Sequence, residues 1–161
     1  MNKKAIVYID GYNLYFGLLK GTKNKWLDIR RFSELLLADH YDLAAVKYFT
    51  AIVKTHPVDE ASVERQNAYL QAVRTLPNVQ VIEGFYSKHK MRAPYVDAKC
   101  ATCDVTENGM VQVYKFEEKR SDVNMAVEAV VDAAENKADC FVFVTGDSDQ
   151  IGAIEKIRYK Y

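Results

Sequence analysis

The stretch AIVYIDGYN (residues 5–13) decides the fold, because a short apolar run rich in β-branched residues is followed at once by a carboxylate and a glycine. Runs of this kind are typical of parallel strands that helices cover on both faces, and Gly11 ends the run. We therefore expect Asp10 at the carboxyl end of a strand, the edge at which open α/β sheets bind ligands. An Asp-Gly turn without any functional role is the competing interpretation of the same two residues.

The composition predicts one globular domain over residues 1–161. The chain is 49% apolar and 27% charged, and its 22 basic residues balance its 22 acidic residues. A neutral total offers no bulk attraction for a polyanion, so nucleic acid would have to be held by a local patch or through metal ions. No run approaches the ~18 uncharged apolar residues of a membrane span, and the N-terminus lacks the apolar segment of a secretory signal. We expect a cytoplasmic protein without a membrane partner.

Strands and helices alternate along the chain. Strands are predicted at 5–9, 46–52, 78–84, 111–118 and 140–145, and helices at 13–21, 28–40, 58–76, 121–136 and from 151 onward. This order predicts a parallel sheet with right-handed crossovers and helices on both faces. Residues 87–110 show no period and are predicted to form a long loop or a small excursion. The helix at 121–136 is predicted to carry one apolar stripe, made of Val123, Ala126, Val127, Val130, Val131 and Ala134.

Further carboxylates fall at the same edge of the predicted sheet as Asp10. Asp147 and Asp149 follow the apolar strand 140–145, and Asp122 lies in the first turn of the helix that follows strand 111–118. Because gathered carboxylates raise each other's pKa, we expect a positive partner, and Mg²⁺ prefers oxygen ligands. Asn13 would supply a neutral oxygen or orient a water. Paired metals at such a site activate water on one side of a phosphodiester and stabilise the leaving oxygen on the other.

Each of these carboxylates also has a structural interpretation. Asp122 complements the dipole of a helix N-terminus, Asp149 caps the last helix, and Asp147 satisfies a turn. Other phosphate and metal motifs do not fit the sequence. An EF-hand fails because Ile151 and Arg158 stand at ligand positions, and there is neither G-x-x-x-x-G-K nor G-x-G-x-x-G. Phosphatases that form an aspartyl-phosphate would need D-x-D after the first strand, where this chain has D-G-Y-N.

Three short motifs mark the predicted sheet edge: D-G-x-N at 10–13, K-x-x-D-V-N at 119–124, and [ST]-G-D-S-D at 145–149. In this order, and within a similarity that spans nearly the whole chain, they resemble the bacterial NYN domains of the PIN-like nuclease superfamily. The resemblance implies a PIN-like, doubly wound, mostly parallel sheet flanked by helices. It also implies an Mg²⁺- or Mn²⁺-dependent ribonuclease site, with Asp10, Asp122 and Asp147 as metal ligands, Asp149 as a further ligand or water-orienting base, and Asn13 as the polar helper.

The resemblance also names a partner, which is single-stranded or structured RNA, and a reaction, which is endonucleolytic hydrolysis. A non-catalytic RNA-binding or regulatory module with an incomplete site is the alternative function. Lys119 would meet a phosphate or be a solvated loop lysine. Many relatives carry glycine where this chain has Arg120, so this cation either helps to hold RNA or reflects a tolerant loop position. The family usually continues beyond the final IEKIRYKY (154–161), so we expect a sheet truncated at its C-terminal edge.

Basic and aromatic side chains are interleaved around residues 86–99, where Lys88, Lys90 and Arg92 accompany Tyr86 and Tyr95. Basic groups meet phosphates and aromatic faces stack on bases, so this segment is a candidate wall for single-stranded RNA. A solvated loop would show the same composition, and both interpretations stay open.

The segment also contains a single C-x-x-C, formed by Cys100 and Cys103. Structural zinc needs four ligands and only His89 lies nearby, so reduced thiols, a redox pair and a zinc site all remain open. A homodimer is compatible with the sequence, but no segment marks an interface.

Overall fold

The computed structural model describes residues 2–53, 61–94 and 110–161. These ranges contain six strands and five helices, with a π-helical segment at Tyr15–Leu19 and a 3₁₀ turn at Ser148–Gln150. In chain order they are β1 (Lys3–Asp10), α1 (Gly11–Leu14), α2 (Ile29–Leu37), β2 (Tyr41–Thr50), α3 (Ala61–Arg74), β3 (Val79–Glu83), β4 (Phe85–Pro94), β5 (Met110–Lys119), α4 (Ser121–Ala134), β6 (Cys140–Val144) and α5 (Ile151–Lys160).

The central sheet has four strands in the order β3-β2-β1-β6, and each neighbouring pair is parallel. β1 lies between β2 and β6, so its residues from Ala5 to Asp10 are all buried. This confirms the predicted α/β fold, including the buried strand read from the opening apolar run. None of the described helices has the length and apolar character needed to cross a membrane.

Helices cover both faces of the sheet because successive side chains of β1 point to opposite sides. Ala5, Val7 and Ile9 join a cluster with apolar residues of α1, α2 and α3. Ile6 and Tyr8 join a second cluster, to which α4 contributes Met125 and Ala129, and against which α5 packs through Ile157. Two cores, one on each side of a single parallel sheet, are therefore built from the alternation of one strand.

The prediction of a long loop is wrong for residues 87–94. These residues belong to β4, which pairs antiparallel with β5 from Phe85 opposite Lys119 to Pro94 opposite Met110, outside the central sheet. The strand escaped the sequence analysis because both of its faces carry polar side chains, which leaves no apolar period of two. This pair of strands, called the ribbon below, is a small excursion of the predicted kind. Residues 95–109, with Tyr95, Cys100 and Cys103, lie outside the described residues.

The predicted apolar stripe of α4 does not face the core. Val123, Val127 and Val131 are 65%, 55% and 42% exposed, whereas Ala129 and Asp132 on the sheet side are fully buried. The buried side of α4 also carries Met125 and Ala133, and Asp132 on this side contacts Tyr8 and Lys47 of the sheet. A stripe of valines is therefore exposed and an aspartate is buried, the reverse of what hydrophobic periodicity predicts.

A polar network inside the second core holds α4 on the sheet. Asp132 accepts a hydrogen bond from the Tyr8 hydroxyl at 2.7 Å, and its carboxylate lies 2.5 Å from the Lys47 ammonium, which also contacts Glu128 at 2.6 Å. Burial and the Asp132 carboxylate raise the pKa of the Tyr8 hydroxyl. Desolvation opposes the charge of Asp132, but hydrogen bonds from Lys47, Tyr8 and Lys137 hold its pKa below the usual value. The carboxylate is therefore ionised and paired in the folded protein.

We predict that Asp132→Asn destabilises the protein by about 3–5 kcal/mol, because it leaves the buried Lys47 ammonium without its closest counter-charge. Urea unfolding measures this loss. Glu128→Gln is the matched control at the more exposed end of the same network, and it should cost less than about 1 kcal/mol. Equal losses of unfolding free energy in the two variants would show that burial of the Lys47–Asp132 pair does not increase its contribution to stability.

Candidate functional site

Asp10 ends β1 and is almost fully buried, at 4% exposure. Its Oδ1 atom accepts a hydrogen bond from the Asn13 backbone nitrogen at 2.9 Å, and its Oδ2 atom accepts from Asn13 Nδ2 at 2.5 Å and from Thr145 Oγ1 at 3.3 Å. The residue thus caps α1, as an Asp-Gly turn would. The same contacts fix its carboxylate at the carboxyl end of the central strand, so the structural and functional interpretations are compatible.

The loop after β6 is tied to the start of α1 by a chain of hydrogen bonds. Asn13 Oδ1 accepts from the Gly146 nitrogen at 3.2 Å, and Thr145 Oγ1 accepts from the Asp147 nitrogen at 3.0 Å. Asp147 Oδ1 in turn accepts from the Asp149 nitrogen at 2.9 Å and caps the 3₁₀ turn. The structure therefore brings the predicted residues Asn13, Asp147 and Asp149 to the edge at which Asp10 lies.

Asp122 reaches this edge from the ribbon rather than from a strand of the central sheet, because β5 leads directly into α4. Its backbone carbonyl accepts a hydrogen bond from Gln150 Nε2 at 3.1 Å, which links the start of α4 to the turn after Asp149. Burial raises the pKa of Asp122, and the charges of Asp10, Asp147 and Asp149 raise it further. The four predicted metal ligands thus act on one another electrostatically.

Glu118, near the end of β5, is a fifth acidic residue that the sequence analysis missed. Burial raises its pKa to about 7, and Asp10 and Asp122 contribute to the rise. Its Oε1 atom is buried and has no hydrogen-bond partner. The available signal was its position, since Glu118 precedes Asp122 by four residues in the run EEKRSD (117–122). In a strand of alternating polar residues, however, such a carboxylate looks like part of a solvated face.

These five side chains suit a hard divalent cation in their chemistry. They offer carboxylate oxygens, neighbouring carboxylates raise the pKa of Asp122 and of Glu118, and one buried oxygen lacks a partner. Within the described ranges, however, no three acidic, histidine or cysteine side chains already form a group that could hold a metal ion. The donor set therefore fits Mg²⁺ or Mn²⁺, although its side chains are not gathered around one point.

The predicted RNA-binding residues divide between the two faces of the ribbon. Lys88, Lys90 and Arg92 alternate along β4 and so share one face. Their partners across the ribbon are Phe116, Tyr114 and Gln112, and the Lys88 ammonium lies 4.3 Å from the centre of the Tyr114 ring. Tyr86 and Glu118 form the next pair on this face. A basic and aromatic strip, made of these eight residues, therefore leads towards the acidic edge.

Lys119 and Arg120 lie off this strip. Lys119 is on the opposite face of the ribbon, where its ammonium is 3.5 Å from Glu117. Arg120 precedes α4 with φ of +80°, in the left-handed region that favours glycine. A glycine at this position would relieve this backbone conformation, so the residue here has a conformational role in addition to its charge.

A cavity of about 390 Å³ lies at the same sheet edge, on the side of α1 and α3. Gly11, the neighbour of Asp10, lines it together with Thr50 of β2. Its wall is rich in aromatic rings, among them those of Tyr12, Phe16, Trp26, Tyr48, Tyr69 and Tyr86. Because Tyr86 belongs to the basic and aromatic strip of the ribbon, the cavity lies where that strip reaches the carboxylates.

Comparison with known proteins agrees with the fold. A family model described as "NYN domain" matches residues 4–161. A solved protein of unknown function from Vibrio parahaemolyticus RIMD 2210633, VPA0982, superposes with a TM-score of 0.58 at 18% identity, over 99% of this chain and 76% of that one. At this identity the likeness concerns the fold alone, which is consistent with a PIN-like α/β architecture.

A curated relative is named 6-hydroxy-3-succinoylpyridine 3-monooxygenase HspA, from Pseudomonas putida (strain DSM 28022 / S16). It is 36% identical over 170 residues, a match that covers 94% of this chain and 54% of the relative. The chain therefore spans about half the length of this relative, whose name describes an oxygenase and not a nuclease.

We predict that Arg120→Gly stabilises the protein by about 0.5–1 kcal/mol, because release from the left-handed conformation outweighs the larger entropy that glycine gains in the unfolded chain. Urea unfolding measures the gain. Asn136→Gly is the control, since Asn136 also has positive φ (52°) but asparagine tolerates this region, so its gain should be smaller. A loss of stability in Arg120→Gly would show that the arginine side chain stabilises the start of α4.

We predict that Glu118→Gln stabilises the metal-free protein above pH 7 but not below pH 4.5. Because burial raises the folded pKa to about 7 from the ordinary 4.5, the wild type loses stability as pH rises through this window. After allowance for solvent screening, the difference is about 1 kcal/mol, or about 2–4 °C in melting temperature. Melting curves in EDTA across this range measure it.

Glu117→Gln is the matched control for this titration. The hydrogen bond from Lys115 lowers the pKa of Glu117, so its stabilising charge is present above pH 4.5 and is lost as pH falls. The control should therefore show a difference of opposite sign. A pH-independent difference between wild type and Glu118→Gln would contradict the crowding of Glu118 with other carboxylates.

Proposed function

The chain belongs to the NYN domain family, and from this premise we propose that it is an Mg²⁺- or Mn²⁺-dependent ribonuclease that hydrolyses RNA phosphodiester bonds within the strand. Family membership supports a nuclease-like role in general. The observation that carries the finer proposal is the electrostatic state of Asp122, whose pKa is raised by burial and by three other carboxylates at the same sheet edge. Such crowding destabilises a fold unless a cation or another positive partner offsets it.

In this proposal Asp10, Asp122 and Asp147 would hold the cation, with Asp149 as a further ligand or as the group that orients water. A bound divalent ion lowers the pKa of water and stabilises the leaving oxygen of a phosphodiester. The hydrogen bonds of Asn13 and Thr145 keep the Asp10 carboxylate in one orientation, so a ligand does not have to be ordered at the moment of reaction. Glu118 adds negative charge beside Asp10 and Asp122.

The ribbon supplies the means to bind RNA in a protein of zero net charge. Its strip places Lys88, Lys90 and Arg92 beside aromatic rings, a combination suited to phosphates and unstacked bases. Because the strip ends at Glu118, a strand bound along it would deliver a phosphodiester to the acidic edge. Lys119 contributes less to this binding, since it lies on the other face.

Two other functions make different predictions. A non-catalytic RNA-binding or regulatory module would bind RNA but would not turn it over with any metal. The name of the monooxygenase relative raises a third function, the oxidation of a small aromatic acid, and the aromatic cavity beside Asp10 is the observation that favours it. Consumption of 6-hydroxy-3-succinoylpyridine in the presence of oxygen and an electron donor would identify that activity.

We predict metal-dependent cleavage of a fluorescently labelled, mixed-sequence single-stranded RNA, with a loss of about 100-fold or more in Asp122→Asn and Asp147→Asn. Gel analysis with Mg²⁺, Mn²⁺ or EDTA measures the cleavage. Glu155→Gln, an exposed change on α5, should leave the rate unchanged. Asp122→Asn should also fold with an unchanged or higher melting temperature, since it relieves charge repulsion.

Three outcomes would contradict this proposal or the role of a residue in it. RNA binding without turnover in any metal favours the non-catalytic module. Cleavage that survives in both aspartate variants indicates a contaminating nuclease or a site elsewhere. A strong drop in melting temperature for Asp122→Asn would indicate that this residue mainly stabilises the start of α4.

A further inference from the structure

The aromatic cavity beside Asp10 has the features of a ligand-binding site. Its volume of about 390 Å³ is within the range of small-molecule pockets. Two of its rings are widely exposed, with Phe16 at 55% and Trp26 at 60%. Exposed aromatic rings that gather around one concave site are informative because most large aromatic surface is buried in a folded protein.

The rings are held in place by their neighbours. Trp26 packs edge-on against Tyr69 with 6.0 Å between ring centres, and Tyr69 packs edge-on against Tyr48 at 6.3 Å. On the other side, Phe16 lies 5.9 Å from Tyr12. Tyr69 also donates a hydrogen bond from its hydroxyl to the Leu27 carbonyl at 3.0 Å, which fixes the segment that carries Trp26. The cavity therefore has preordered aromatic walls that could accept a flat ring.

Polar groups of the cavity are suited to an anionic ligand with a flat ring. Lys20 and Lys25 line it, and the Lys20 ammonium lies 4.7 Å from the centre of the Phe16 ring. Gln66 is anchored by hydrogen bonds to the Val53 nitrogen at 2.9 Å and to the Ala51 carbonyl at 3.0 Å, so its position is defined. Aromatic faces, amide groups and cations together are what an unstacked nucleotide meets in single-strand binding sites.

The position of the cavity indicates that it is part of the path of a bound RNA and not a separate ligand site. Gly11 directly follows Asp10, and Tyr86 pairs across the ribbon with Glu118, so the cavity adjoins the acidic edge on two sides. An ideal Cβ atom on Gly11 would lie 2.7 Å from the Tyr48 ring, so the backbone beside Asp10 packs directly on an aromatic wall. A ring in the cavity would therefore be attached to a phosphate close to the carboxylates.

We propose that this cavity is a nucleobase site that accepts one unpaired base of a single-stranded RNA next to the phosphodiester to be cleaved. The inference rests on the proposed ribonuclease function and adds the reason for a single-stranded substrate. A base in a duplex is stacked and paired, so it cannot enter a concave site. Since the walls offer ring faces and few fixed polar groups, the site accepts any of the bases with modest preference.

Trp26 makes the test direct, because it is the only tryptophan of the chain. A base stacked at the cavity should quench its fluorescence. The protein is titrated in EDTA, so that no cleavage occurs, with a single-stranded RNA and with a ribose-phosphate oligomer of the same length that lacks bases. We expect quenching by the RNA and by uridine monophosphate but not by the abasic oligomer, which should bind about 5–100-fold more weakly.

Variants separate stacking from general binding. Anisotropy of a labelled RNA should show about 5–100-fold weaker binding for Trp26→Ala and for Phe16→Ala. Trp26→Phe should restore most of the affinity because it keeps a ring. Tyr159→Ala, a change at a 78% exposed aromatic on α5 that does not line the cavity, should bind within about twofold of wild type. Circular dichroism verifies that each variant is folded.

The outcomes for the base site and for hydrolysis are distinct. Equal affinity for RNA and the abasic oligomer, or unchanged binding in both ring variants, overturns the base site even if RNA is cleaved with metal. Quenching by nicotinate without any quenching by RNA also overturns it and identifies a site for small aromatic acids. Base-dependent binding in a protein that does not cleave RNA with any metal leaves the base site standing and refutes the hydrolysis.

Discussion

The parallel pairing of β1 with β6 is the constraint on which the site depends. Ile9 lies opposite Val144 in this pairing, so the two strands end at the same level and release Asp10 and the 145–149 loop side by side. Asn13 then ties the two loops together, since it donates to Asp10 and accepts from Gly146. Without this register the acidic residues that lie more than 130 positions apart in sequence would not meet. The strand order therefore determines which acidic residues lie side by side at this edge of the sheet.

The same strand pairing brings carboxylates close together, and among the described residues no positive side chain at the sheet edge offsets the burial and the repulsion that raise the pKa of Asp122 and Glu118. The second core shows how this protein treats a carboxylate that it keeps for structure: Asp132 is surrounded by Lys47, Tyr8 and Lys137, and its pKa is lowered. At the sheet edge the pKa values of Asp122 and Glu118 are raised instead. Both settings combine burial and carboxylates, and they differ in the sign of the neighbouring charges. This contrast separates the structural carboxylate Asp132 from the edge carboxylates, for which we propose a bound cation.

Much of the fold could be predicted because the central strands consist of uninterrupted apolar runs. AIVYI is buried on both faces and the stretch CFVFV (140–144), an edge strand, is half-buried, and their acidic successors fall at strand ends. The ribbon could not be predicted in this way. Its stability comes from pairing between β4 and β5 and from contacts such as Lys88 over Tyr114, and neither leaves an apolar period in the sequence. The exposed valines of α4 show a related limit, because a buried, hydrogen-bonded Asp132 on the sheet side cannot be read from apolar periodicity.

The candidate site was predictable where a motif marks it, as at Asp10, Asp147 and Asp149, and at Asp122, but two of its parts that depend on the ribbon were missed. Glu118 and the aromatic cavity are these two parts, since both need β5 or Tyr86 to be brought over the sheet edge. In the proposed function, the ribbon is also the part that would let a chain without net charge attract a polyanion. Positive charge is gathered along one face of the ribbon and negative charge at its foot, so the separation of the two, and not their sum, would direct an RNA strand to the carboxylates.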